Sequence, residues 1–294
     1  GMRCQVAFPI IAFANAWSTS SDDAIHRGLA LHDDYRGDAF VSIAFGPHAA
    51  YSVSRGDLEK ILMYSEELDA NVQIHLHENA AEVADDQASL NRTWVRELHD
   101  IGLLSPRLQA VHMTQVDDAE IDLLSEARVH VIHCPHSNLK LASGICPIGR
   151  LLAAGVNVAL GTDGAASNNS LDLLAEARLA SLLAKISGAD ARSLPEARAL
   201  EMATLGGARA LGRDEQIGSL EPGKLADMVA VDLSAPRFQP VYDPMAQLIH
   251  TAAGSAVSHV WIGGRSVLRE DRFTNFDEVA MLHATNAWHE RVSA

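Results

Sequence analysis

What this sequence lacks narrows it first. Its three cysteines, Cys4, Cys134 and Cys146, cannot all pair with one another and show no C-x-x-C spacing. That excludes a disulfide framework and a thiolate zinc finger, and leaves reduced thiols. Positive charge is scarce as well: 23 lysines and arginines face 38 aspartates and glutamates, for a formal net charge of −15, with no basic stripe to act locally against it. Such a surface repels a phosphate backbone, so no nucleic-acid partner is expected. Apolar runs never approach the ~20 residues that span a bilayer, so no membrane segment is expected. Gly1-Met2-Arg3-Cys4 does not open a basic-then-apolar leader, and Gly1 before Met2 reads as a tag remnant. The expected location is cytoplasmic. A glycine-rich phosphate loop is missing too. The nearest match, Gly218 to Leu225, has Leu225 where Ser or Thr must reach Mg2+, and its context is a hairpin.

What is present is a core. Hydrophobic residues make up 48% of the 294 positions, which suits an ordinary globular protein and rules out disorder. From Arg3 to Ser170 short apolar runs alternate with amphipathic stretches. The runs are Cys4 to Ile11, Phe40 to Phe45, Val72 to Leu76, Leu108 to Val111, Val129 to Ile132 and Val156 to Leu160. Between them, segments such as Asp57 to Leu68 carry leucine and isoleucine at three- and four-residue steps. Buried strands alternating with helices require a parallel sheet, closed or open. Beyond Ser170, helices are expected over Leu171 to Ile186 and Pro195 to Leu211, then a strand and a hairpin over Ala226 to Asp232 and His259 to Arg265. A closing helix is expected over Asp277 to Val292.

The strand ends decide between the two sheets. They read Gly46-Pro47-His48, His75-Leu76-His77-Glu78, His112, His133-Cys134-Pro135-His136 and Gly161-Thr162-Asp163. In a (β/α)8 TIM-type barrel all C-terminal strand ends meet at one mouth, whereas an open doubly wound sheet binds at a switch point behind a glycine-rich loop. The barrel is therefore the expected fold, with about six of its eight βα units present. The barrel is expected over residues 1–214, with a small β element over 215–272 and a C-terminal helix over 273–294.

His75 and His77, two apart on a strand, are expected to project from one face. Imidazole and carboxylate suit a zinc-like ion, and Asp163 is the natural carboxylate partner; a turn or capping Asp beside Gly164 is its structural alternative. Glu78 is placed to carry a proton, or else is a first-turn glutamate favoured by the helix dipole. His112 either orients an attacking hydroxide or is a core histidine. His133-Cys134-Pro135-His136 sets soft and borderline metal ligands close together, but a strand ending in proline cannot easily wrap both round one ion, so it reads as strand end and pocket wall. Ionisable groups at so many strand ends point to function, since each costs ~1–3 kcal/mol if buried unsatisfied.

Together with Gly46 to Tyr51, Ser137-Asn138-Leu139-Lys140-Leu141, Gly164 to Asn169 and Ile217 to Asp227, these segments resemble the amidohydrolase superfamily over nearly the whole chain. The nearest branch is the 5-methylthioadenosine/S-adenosylhomocysteine deaminases, in the group that includes triazine hydrolases and guanine deaminases. The resemblance implies His75 and Asp163 as ligands of Zn2+, or of another divalent transition metal such as Fe2+. It further implies Asp163 as an aid to deprotonating the bound water, Glu78 as proton shuttle, His112 as holder of the hydroxide or tetrahedral intermediate, and His48 as a substrate contact. His77 is not needed as a ligand. The implied reaction is hydrolytic deamination at C6 of an adenine nucleoside; another heterocycle, or a non-catalytic binding role, is the alternative. The family's His-x-His strand has no counterpart ahead of Arg3. The resemblance thus implies an N-terminally truncated chain, a partial barrel with part of a small C-terminal β-sandwich, with an incomplete metal site and open edges that fray or join a homo-oligomer.

Overall fold

The computed structural model describes residues 1–251 and 253–293. Its first sheet is parallel and strictly sequential. The strands are β1 (Cys4–Ile10), β2 (Val41–Pro47), β3 (Val72–Leu76), β4 (Leu108–His112), β5 (His130–His133) and β6 (Asn157–Leu160). β1 and β6 are its two edges, so the sheet is an arc of a barrel. Registry is tight: Cys4 to Ile10 lie opposite Val41 to Pro47, and Val72 to Leu76 opposite Leu108 to His112. All five residues of β4 are buried, as expected for a parallel strand covered on both faces.

The crossovers are α1 (Ser21–Asp34), α2 (Arg55–Leu68), α3 (Ala80–Leu90), α4 (Trp94–Ile101), α5 (Asp118–Glu126), α6 (Pro135–Lys140) and α7 (Ile148–Ala153). Local chemistry fixes their starts. The Ser54 hydroxyl accepts from Asp57 N while Asp57 bonds back to Ser54, and Asp117 and Glu120 repeat that box on α5. On α2, Leu58 and Ile61 are fully buried in the same core as Val72, Ile74 and Leu76 of β3.

After β6 come α8 (Leu173–Ser187), α9 (Glu196–Met202) and α10 (Leu205–Ala210). The single helix expected over Pro195 to Leu211 is thus two. Thr204, at φ −130 and ψ −90, breaks it, and the turn lets α10 press on β6. A Cβ on Gly206 would stand 2.8 Å from the Val158 carbonyl oxygen, so only glycine fits there.

A second, antiparallel sheet follows: β7 (Met228–Val231), β8 (Val257–Ile262), β9 (Arg265–Arg269) and β10 (Arg272–Phe273), in the order β10-β9-β8-β7. Gly263 and Gly264, both at positive φ, make the two-residue hairpin turn between β8 and β9. α11 (Pro244–His250) intervenes, and α12 (Glu278–Ser293) follows, capped by the Asp277 carboxylate. Among the described residues no helix is long and apolar enough to cross a membrane.

Candidate active site

The C-terminal strand ends bring His48, His75, Glu78 and His112 together. Gly46 lets β2 pack closely on β1, because a Cβ there would lie 2.7 Å from the Phe8 carbonyl oxygen. His48 follows β2, and its carbonyl accepts both the His75 backbone N–H at 3.1 Å and the His75 Nδ1–H at 2.5 Å. That bond fixes the tautomer and leaves the His75 Nε2 lone pair free. The His48 and His75 rings are 5.1 Å apart; His75 and His112 are 5.4 Å apart and nearly parallel.

His112 donates from Nδ1 to the Asn138 side-chain oxygen at 2.8 Å, so its Nε2 lone pair faces Glu78 Oε2 across 3.9 Å. That gap is too long for a direct bond, but it admits one proton-bearing atom about 2.8 Å from each. Burial lowers the proton affinity of both His48 and His112, against the pull of Glu78, and keeps the two rings neutral near pH 7.

The structure corrects the expected pairing of His75 with His77. β3 ends at Leu76, and His77 sits at φ +48, so strand alternation has already stopped. His77 is fully buried, with Nδ1 bonded to the Gln115 carbonyl at 2.7 Å. It is a core histidine. Its turn serves the next residue: Glu82 on α3 accepts from the backbone N–H groups of His77 and Glu78 at 3.1 and 2.7 Å, and Thr114 Oγ1 donates to the Glu78 carbonyl at 2.6 Å. Glu78 is therefore held by its backbone while its carboxyl is half-exposed.

Asp163 lies past β6 at φ +59. Its Oδ2 accepts from Ser137 and Ser167 at 2.6 and 2.8 Å, and its Oδ1 from Gly164 N at 2.7 Å. Burial pushes its pKa up, but these bonds outweigh burial and hold it below the usual carboxylate range. The turn role beside Gly164 and proximity to the site thus coexist. His77, His112, Met113 and Asp163 all adopt left-handed backbone, a strain that collects at functional sites.

Around His133 the expectation of strand end and wall needs amending. His133 ends β5, wholly buried with both ring nitrogens unpartnered, and burial depresses its pKa to about 3. Pro135, however, starts α6, whose Ser137 and Asn138 hold Asp163 and His112. His136 turns to Glu176.

A cleft of about 470 Å3 opens beside His48, lined by Ile11, Phe13, Tyr51 and Val53 among others. Two larger hollows lie elsewhere and touch none of these histidines. One, of about 790 Å3, is at the N-terminal strand ends; the other, of about 1060 Å3, is between α8, α9 and the second sheet.

His75 and Asp163 have the donor chemistry for a divalent ion, each anchored from behind. They do not make a centre. No group of three or more His, Cys, Asp or Glu able to hold an ion occurs among the described residues, while a catalytic zinc site needs three protein ligands and an open position.

A parallel barrel sheet with imidazoles and carboxylates at its C-terminal mouth is the layout of a barrel enzyme. The chain belongs to the amidohydrolase family, whose model matches residues 1–267. It is 46% identical over its full length to the 5-methylthioadenosine/S-adenosylhomocysteine deaminase of Teredinibacter turnerae, of which it spans 66%. An adenosine deaminase structure from Xanthomonas campestris with bound zinc superposes with a TM-score of 0.97 at 46% identity, covering 99% of this chain and 66% of that one. The zinc complex of an atrazine chlorohydrolase from Arthrobacter aurescens superposes at 0.91 with 26% identity, covering 97% and 65%.

The sequence alone does not mark Glu82, Thr114, Asn138, Ser137 or Glu176 as parts of the site. Ser137 and Asn138 directly follow the His133–His136 run, but nothing local marks them as partners of Asp163 and His112. Glu82 did carry a signal, three residues after the N-cap Asn79.

Proposed function

We propose that this chain carries the substrate-contacting and proton-handling part of a hydrolytic deaminase of adenine nucleosides such as 5-methylthioadenosine, S-adenosylhomocysteine or adenosine. Water replaces the amino group at C6 and ammonia leaves. In this reading Glu78 carries the proton to the ring nitrogen, His112 Nε2 accepts a hydrogen bond from the attacking water, and His48 with the cleft beside it contacts the nucleoside. His75 and Asp163 contribute two donors to a zinc centre that these residues alone do not complete. The observation that carries the reading is the 3.9 Å gap between the neutral His112 Nε2 and Glu78 Oε2, with the His75 ring stacked 5.4 Å from that of His112. Identity of 46% to an adenine-nucleoside deaminase, against 26% to a chlorohydrolase, supports the substrate class.

The test is a chimera in which this chain replaces the matching segment of the Teredinibacter turnerae enzyme. With zinc it should release ammonia from the adenine nucleosides and leave guanine and atrazine untouched. A folded, zinc-loaded chimera that prefers guanine or atrazine, or turns over nothing, would refute the reading.

A further inference from the structure

Glu176, on α8, contributes nothing to the roles above, yet it is wholly buried, and among the described residues no lysine or arginine forms a salt bridge with it. A buried carboxylate is costly unless several donors converge on it. Here they do. Oε2 accepts the backbone N–H of His136 at 3.1 Å, and Oε1 accepts from the Asn168 side-chain amide. The His136 ring Nδ1 lies 2.7 Å from Oε1, outside hydrogen-bond alignment.

What those donors belong to gives the arrangement its meaning. His136 stands in the first turn of α6, where Cys134 offers no side-chain cap. The same short helix presents Ser137 to Asp163 at 2.6 Å and Asn138 to His112 at 2.8 Å. Asn168 lies in the loop after β6, one residue from Ser167, which is the second hydroxyl on Asp163 Oδ2. One carboxylate therefore clamps both segments that orient the two site groups.

We propose that Glu176 is a positioning residue: by latching α6 to the 164–171 loop it sets the His112 tautomer through Asn138 and the Asp163 carboxylate through Ser137 and Ser167. This rests on the reading of His112 and Asp163 given above.

The test reads His112 directly, by long-range proton–nitrogen NMR of the 15N-labelled 294-residue chain. Wild type should show His112 as a single Nδ1–H tautomer with two well-separated ring signals. Glu176→Gln turns an amide NH2 toward the Asn168 amide, two donors facing each other, so the His112 signals should draw together as tautomers mix. Adding Asn168→Asp restores a donor–acceptor pair and should restore the wild-type signals, along with the fold if the single variant is unfolded. Glu196→Gln is the control, because Glu196 makes a similar 2.7 Å contact with His250 away from the site, and it should leave His112 unchanged. Unaltered His112 signals in a folded Glu176→Gln chain would reduce Glu176 to a structural group. A double variant that restores neither fold nor signals, or a control that moves them equally, would also overturn the proposal. No turnover is involved, so a chimera that fails to deaminate would remove the functional reading and leave this result standing.

Discussion

Replacing Glu82 with glutamine probes the groups that hold the Glu78 backbone. Glu82 is 9% exposed, and burial, aided by the nearby charges of Asp86 and Glu78, raises its pKa from 4.5 to about 7. The folded chain thus binds this proton more tightly than the unfolded chain does. The resulting stabilisation is complete below about pH 4.5 and is lost as pH rises through about 7. At 1.36 kcal/mol per pH unit the full contribution is roughly 3 kcal/mol. Asp86, buried on the same helix and raised to about 6, adds to the loss in the same direction. Glu82→Gln cannot titrate, but it gives up one acceptor for the His77 and Glu78 N–H groups, which costs about 1 kcal/mol at any pH. Urea unfolding of both proteins between about pH 4.5 and pH 7.5 should therefore show wild type losing roughly 3 kcal/mol more than the variant across the range. Parallel pH profiles for the two proteins would refute the assignment of Glu82 as a buried, proton-binding group.

Other outcomes follow from the site and the core. In the chimera, Glu78→Gln should lower kcat by about 10²–10⁴ with little change in KM, as loss of a proton carrier does; a variant within twofold of wild type would remove Glu78 from that role. His48→Ala deletes the ring and keeps the carbonyl that anchors His75. It should raise KM for the nucleoside while the His75 ring signals in NMR stay put, and loss of those signals would show that the ring itself holds the site. Leu58→Ala, at a fully buried position on α2, should cost about 2–5 kcal/mol in urea unfolding.

The sheet was legible because buried parallel strands read as continuous apolar runs, and because turns and caps punctuate them. β3 matches the expected run residue for residue, and the other strand boundaries move by one or two positions. Where reading failed, the decisive contact was distant in sequence. The break at Thr204 serves packing of Gly206 on Val158, which periodicity in the helix does not reveal. The expectation that His77 projects from the same face as His75 fails for a local reason, because it carries strand alternation one residue past the strand, into a left-handed turn. His75 and His112 lie on β3 and β4 themselves, and His48 and Asp163 follow β2 and β6 by one and three residues, so the strand runs bring these four positions to the C-terminal ends. No strand run marks Glu176, Asn138 and Ser137, since each matters through a bond to a residue 26 or more positions away.

The proposal that His75 and Asp163 supply two donors to a zinc centre that the described residues do not complete is tested most directly by elemental analysis of the 294-residue chain, purified without chelator or added metal. Well under one zinc per chain is expected, because two donors do not hold the ion. Near one zinc per chain, retained through gel filtration and lost in His75→Ala, would contradict the half-site and show that these residues complete a centre on their own.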